Sequence, residues 1–199
     1  RLCPNAIFLP VDFAAYRAAS AQVFAVLDQV SPVRQAVGLD EAYLDISHRP
    51  EDPSHIGAQL KADIFNATGL VASVGIAPNR LLAKIASDLE KPDGLTLLAI
   101  ADVPARIWPL PVRTLHGVGP RTAERLASLG ITEIGQLAKA DLSLLTGEFS
   151  PSHAQSLQQA AHGEDDRPVQ TERTRKSIGR ERTFQQDCRS SGRLAHEAQ

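Results

Sequence analysis

Two acids, Asp40 and Glu41, stand side by side in Val37-Gly38-Leu39-Asp40-Glu41-Ala42-Tyr43-Leu44-Asp45-Ile46-Ser47, a run that is otherwise apolar and strand-like. An ionised carboxylate sheltered in such a run is costly unless it is paired, hydrogen-bonded or bound to a metal. The pair therefore calls for solvent or for a cation. Further along, Arg80 and Lys84 lie four residues apart on one face of an expected helix, and Lys91 follows in the turn that closes it. Three cations near a strand end could clamp a triphosphate. Read alone, they fit an exposed helical face better, because this spacing is common.

A second constellation is Leu115-His116-Gly117-Val118-Gly119-Pro120-Arg121-Thr122, running on to Ile131. Gly117 and Gly119 flank Val118 just ahead of a helix with Pro120 in its first turn. Glycines allow a tight turn and close approach to a ligand, and free N–H groups at a helix start make an anion site. With Ala123 and Leu126 turned inward, the segment reads as a helix-hairpin-helix that grips the phosphates of one DNA strand through Gly117, Val118, Gly119, Arg121 and Thr122. The competing reading is a glycine-bounded turn between two packed helices. Residues 167 to 193 add eight Arg/Lys against three acids in a chain whose net charge is −2. Such a strip, which includes Lys176, Arg180 and Arg182, suits either phosphates or a solvated linker.

The elements that must position these groups are legible from periodicity. Asp12 is placed as the cap of a helix to Val30, whose apolar residues Phe13, Tyr16, Val23, Val26, Leu27 and Val30 recur every three or four positions. Ala42, Leu44 and Ile46 alternate with Tyr43 and Asp45 as a strand does. Pro53 opens a second helix with Ile56, Leu60 and Ile64 on one stripe, and Gly69 closes it. Residues 70–77 and Leu95–Ala99 read as strands around a helix over 78–89, with a turn at 91–94. Residues 6–10 read as one more short strand. The spacing thus predicts an α+β unit over 1–101, with helices on one side of a sheet, then an all-helical unit over 102–162. A polar linker over 163–175 and a strand opening at 176 complete the expected order.

Of the 199 residues, 43% are hydrophobic and 22% charged, an ordinary globular composition. The two cysteines, Cys3 and Cys188, have no metal-ligand spacing, so neither a disulfide framework nor a zinc site is indicated. No apolar run reaches the roughly 20 residues that span a bilayer. A cytoplasmic location is the expectation. The sequence lacks methionine and opens on Arg1, which reads as a fragment of a longer chain.

"LDEAYLDIS", "SVGIAPNRLLAKIASDLEKPDG", "LHGVGPRTAERLASLGI" and "RKSIGRERTF" occur in this order. Together they resemble the Y-family, or translesion, DNA polymerases, in the bacterial branch. The resemblance implies a partial palm (1–101), a thumb with a helix-hairpin-helix (102–162), a linker (163–175) and the start of a little finger (176–199). It implies that Asp40 and Glu41 bind two Mg²⁺ ions, with Glu41 tied to activation of the primer 3′-hydroxyl. Lys91, with Arg80 and Lys84, would contact the triphosphate of a dNTP. Lys176, Arg180 and Arg182 would meet primer-template DNA, and a sliding clamp would engage, if at all, beyond Gln199. The family's first metal-binding Asp and its fingers have no counterpart in these residues; Asp12 is not a substitute. The implied activity is nucleotide addition opposite damaged bases, with the isolated fragment inactive. The alternative is a non-catalytic, polymerase-shaped DNA-binding or scaffold subunit. Because strand neighbours point to opposite faces, both acids reach common ions only if the backbone bends, for which Gly38 is placed. Members of the family often carry Ser at that position.

Overall fold

A computed structural model describes residues 3–172 together with Ser177 and Gly179. Lys176, Arg180 and Arg182 lie outside the described residues, as does most of the strand expected from 176.

Asp12 starts α1 (Phe13–Val30), its carboxylate accepting the Ala15 N–H at 3.0 Å. Only the C-terminal half of the expected apolar stripe is used. Val26 and Leu27 are buried with Val23, Phe24 and Val30 beside them, whereas Phe13 and Tyr16 stay exposed. α2 (Pro53–Thr68) is capped by Asp52 and ends on Gly69, whose φ of 71° is the left-handed conformation that a glycine adopts without a Cβ clash. Leu60 and Ile64 close a small core with Val26 and Leu27.

Between these helices lies a hairpin, β1 (Arg34–Ala36) against β2 (Ala42–Leu44), antiparallel with Gln35 opposite Tyr43. The single strand expected through 37–47 is therefore a turn followed by a short strand. Ala42 and Leu44 do face the core, as the alternation predicts. The strand expected at 6–10 is absent. Ile7, Phe8 and Leu9 are exposed, and no described segment pairs with them, without which a strand has no ladder to join.

β3 (Val74–Ile76) and β4 (Leu95–Leu97) pair in parallel, Gly75 opposite Thr96, with α3 (Arg80–Leu89) as their crossover. The described strands thus form two two-stranded sheets instead of one. Gly75 permits the close packing of this unit. A Cβ there would sit 2.1 Å from the Ala83 carbonyl oxygen and 2.3 Å from the Ser87 nitrogen.

Residues 100–114 form short 3₁₀ and π-type turns, and four helices follow: α4 (Pro120–Ser128), α5 (Ile134–Lys139), α6 (Leu142–Glu148) and α7 (Pro151–Ala161). This helical part has no separate core. Leu81, Leu82, Ile85 and Ala86 of α3 join Ile107, Leu115, Leu126, Ile134, Leu137, Leu145 and Ala161 in one buried cluster. The Trp108 indole N–H, donating to the Ala161 carbonyl at 3.1 Å, ties the two ends of the part together. Because Leu82 is fully enclosed, Leu82→Ala should cost about 3 kcal/mol through lost transfer energy and a residual cavity. Thermal unfolding followed by circular dichroism should show one earlier transition. A transition confined to half of the signal would mean that the two parts do not share their core.

Candidate functional site

The acid pair sits at the tip of the β1–β2 hairpin. Val37 and Gly38 both direct their N–H groups to the Glu41 carbonyl oxygen, at 2.9 and 3.4 Å, and this doubled acceptance bends residues 38–40 out of the strand. The Ser20 hydroxyl of α1 donates to the Leu39 carbonyl at 2.5 Å and pins the tip from behind. The bend expected from Gly38 is present. Its result is that the two carboxylates meet different neighbours. Asp40 faces Tyr16, whose hydroxyl pKa is pushed up chiefly by that negative charge and also by their hydrogen bond. Glu41 accepts the Lys84 ammonium at 2.8 Å. Asp45, on the far side, is spent on structure: its carboxylate accepts the Ser47 N–H at 2.8 Å and its carbonyl accepts the Ser31 hydroxyl at 2.6 Å.

The three expected cations divide. Lys84 reaches Glu41 and also Asp88, at 3.2 Å, and Lys91 reaches the other Asp88 oxygen at 2.6 Å. Burial works against the charged form of Lys84, but its hydrogen bonds to Glu41 and Asp88 outweigh this and raise its pKa. Burial likewise works against the Asp88 carboxylate, and the two lysines overcome it, so its pKa falls. Arg80 is not part of this row. Its guanidinium lies 4.7 Å over the Tyr43 ring and donates to the Pro168 carbonyl at 3.3 Å. Sequence spacing contains the Asp88 signal, since the residue is four after Lys84 and three before Lys91. Nothing in the periodicity of α1 singles out Tyr16.

Pro168 belongs to the stretch expected as a free linker, and that stretch is docked on α3. The Asn79 side-chain amide donates to the Gly163 carbonyl at 2.7 Å, the Leu81 N–H donates to Asp165 at 3.2 Å, and the Gln170 N–H donates to the Gln35 side chain at 2.9 Å. Asp165 thus satisfies a first-turn N–H of α3 from outside the helix, a role that polarity alone does not reveal.

In the second constellation Gly117 has a φ of 98°, a conformation that disfavours any side chain. Gly119 is extended, and no protein atom would meet a Cβ there. Val118 is buried and its N–H donates to the Leu115 carbonyl at 3.0 Å, so it anchors the turn and leaves Gly117 and Gly119 to present backbone outward. Arg121 is exposed and Thr122 half-buried at the start of α4. A groove of about 450 Å³ separates this turn from α3, lined by Lys84 and Asp88 on one side and residues 113–119 on the other. Lys84 thereby touches both constellations.

Asp40 and Glu41 offer the hard oxygen donors that Mg²⁺ takes. They fit as part of a divalent-cation site; among the described residues no group of three or more His, Cys, Asp or Glu could hold a metal. Among those residues no helix is long and apolar enough to cross a membrane.

Asp165 supplies a pH test. Burial pushes its carboxyl up, but the hydrogen bonds from Arg167, with the nearby charges of Arg167 and Arg80, leave it below the ordinary carboxylate value. A depressed carboxyl stabilises the fold above its unfolded pKa and loses that contribution as pH falls through the folded value. Hydrogen exchange at the Leu81 amide should therefore stay slow through the ordinary Asp range and quicken only below it. Asp165→Ala, which removes the acceptor, should abolish this pH dependence and cost about 1 kcal/mol, the worth of a helix cap. Unchanged exchange in that variant would show that the contact does not hold the segment.

Residues 1–88 match the impB/mucB/samB family and residues 101–131 match the IMS family HHH motif. A protein named DNA polymerase IV from Halorhodospira halophila is 44% identical over 197 residues, covering 98% of this chain and 55% of its own length. One of the same name from Gluconobacter oxydans is 40% identical, covering 100% of this chain and 56% of its own. The chain therefore spans about half the length of the curated relatives it matches. Among solved structures, an insertion ternary complex of Dbh DNA polymerase superposes with a TM-score of 0.76 at 27% identity, covering 84% of this chain and 50% of that one. DinB from Sulfolobus solfataricus gives 0.75 at 28% identity, over 83% and 50%. With both matches in the order of its own two constellations, the chain belongs to the Y-family DNA polymerases.

Proposed function

We propose that these residues form the palm and thumb of a template-directed DNA polymerase that adds nucleotides opposite damaged bases, transferring a nucleotidyl group from a dNTP to a primer 3′-hydroxyl. The observation that carries the reading is the contact of Lys84 with Glu41 beside a groove whose other wall is the Gly117–Gly119 turn. A carboxylate, a lysine and a glycine turn that share one groove support this reading.

Asp40 and Glu41 would hold two Mg²⁺ ions together with ligands from elsewhere. When bound, such ions stabilise both the attacking and the leaving oxygen of an in-line phosphoryl transfer. Glu41 lies at the hairpin tip, where its carboxylate can turn from Lys84 toward a primer terminus. Lys84 and Lys91 are paired to Asp88 and Glu41, and a triphosphate brings enough negative charge to take them over. Arg80 contributes at one remove, by stacking on Tyr43 behind the hairpin. Gly117 and Gly119, with Arg121 and Thr122, hold strand phosphates without reading sequence.

The second reading is a DNA-binding or scaffold subunit without chemistry. It draws on the two carboxylates having no third ligand among the described residues. Primer extension separates the two. In a chain extended to the length of its relatives, Glu41→Ala should lower the rate by about 10²-fold or more, the worth of several kcal/mol of transition-state charge stabilisation. Unchanged extension would remove Glu41 from the mechanism. The 199 residues alone should bind a 3′-recessed duplex weakly, with steep salt dependence, and extend no primer.

A further inference from the structure

α2 lies against the β3–β4 sheet along one face. At Gly57 the approach is so close that a Cβ would sit 2.6 Å from a Leu95 methyl carbon and 2.9 Å from one of Ile76. Lys61, one turn further on the same face, continues that contact with a different chemistry. Its ammonium donates to the Ala72 carbonyl at 2.7 Å, the Asp93 carbonyl at 2.9 Å and the Asp93 carboxylate at 2.5 Å. An ammonium has three protons, and here each finds an acceptor. The Lys61 side chain is mostly enclosed and that of Asp93 is exposed, so the lysine is the fixed partner and the turn is what it holds.

Ser73 holds the same turn from the strand side. Its hydroxyl donates to the Pro92 carbonyl at 2.8 Å and accepts the Gly94 N–H at 3.4 Å. Pro92, Asp93 and Gly94 are thereby tied one after another. Lys91, just ahead of them, is held quite differently: among the described residues its ammonium meets only Asp88, and more than half of its side chain is exposed. A side chain so lightly held owes its place to the backbone that carries it. To join α3 to β4 the turn needs little beyond the strand ladder, which already begins with the Val74 N–H on the Gly94 carbonyl at 3.0 Å. Sheltering an ammonium to fix it further is costly, and a turn that has to present a cation gives that cost a purpose.

We propose that Lys61 and Ser73 are positioning residues for Lys91, fixing the 92–94 turn so that the Lys91 ammonium stands beside Asp88 where a triphosphate can take it over. The inference rests on the triphosphate role given to Lys91 above and adds the groups through which that role is set. A tether that served stability alone would act in the same way whether or not Lys91 were present.

Calorimetric titration of the 199-residue chain with inorganic tripolyphosphate tests this without metal or turnover. Lys91→Ala should weaken binding about tenfold, the worth of one hydrogen bond from a charged group. Lys61→Ala and Ser73→Ala should each weaken it about threefold, as residues coupled to that contact do. Asp93→Ala separates geometry from charge. Removing an acid near an anion site should tighten binding by Coulomb attraction alone, whereas loss of the tether should weaken it about threefold. In a Lys91→Ala background none of the three should cause further loss. Ser73→Ala and Asp93→Ala keep the test decisive if Lys61→Ala does not fold, which circular dichroism reports.

Equal losses with and without Lys91 would make the tether a staple of the fold and overturn the inference. Parental binding in the three tether variants, with loss in Lys91→Ala, would overturn it too and leave the triphosphate role standing. Parental binding by Lys91→Ala, or no binding by the parent chain, would overturn both.

Discussion

Lys84 is the constraint around which the rest is arranged. Its side chain is mostly enclosed, and a sheltered ammonium is costly unless every direction it faces supplies an acceptor. Glu41 and Asp88 supply them at 2.8 and 3.2 Å. The first belongs to a hairpin and the second to the same helix, so one charge ties the acid-bearing turn to α3. Asp88 in turn holds Lys91. Two acids and two bases thus form a chain in which each partner is borrowed, and a phosphate or a metal ion entering it has to redistribute all four.

The value of that arrangement depends on α3 being fixed. Leu82 and Ile85 on its inner face are buried in the same cluster as Leu115 and Leu126, which support the glycine turn. The acid pair and the turn are consequently referenced to one helix. Segment 163–170 adds a strap across its N-terminus through Asn79, Leu81 and Arg80. Interiors of this kind are close-packed and transmit displacement instead of absorbing it. The distance across the groove is set by the core and not by a hinge.

Much of this was legible from residue order. Asp12, Pro53 and Gly69 marked helix ends because caps are chemical, and Ala42 and Leu44 marked a core face because strands alternate. The Asp40–Glu41 bend and the Gly117–Gly119 turn follow from residue type and spacing, whereas spacing alone favoured an ordinary exposed face for Lys84 and Lys91, and only the resemblance drew them toward the acid pair. What failed was whatever depends on a partner distant in sequence. Residues 6–10 have strand composition, but composition does not supply a neighbour to pair with. Phe13 and Tyr16 continue the period of α1, yet no described element covers that end of the helix. Arg80 shares a face with Lys84 and is nonetheless drawn away by Tyr43 and by Pro168, 88 residues on. Polarity made 163–175 look solvated, whereas Asp165 was a capping group for a helix begun at residue 80.

The tight contact at Gly75 has a bearing on how this site could change over time. With the Ala83 and Ser87 backbones so near that no Cβ fits, the helix cannot slide or rotate over its strand without losing the fit. Variation among descendants of such a chain is then channelled into side-chain length and identity at the rim. The scaffold is inherited whole, and selectivity is edited residue by residue along its edge.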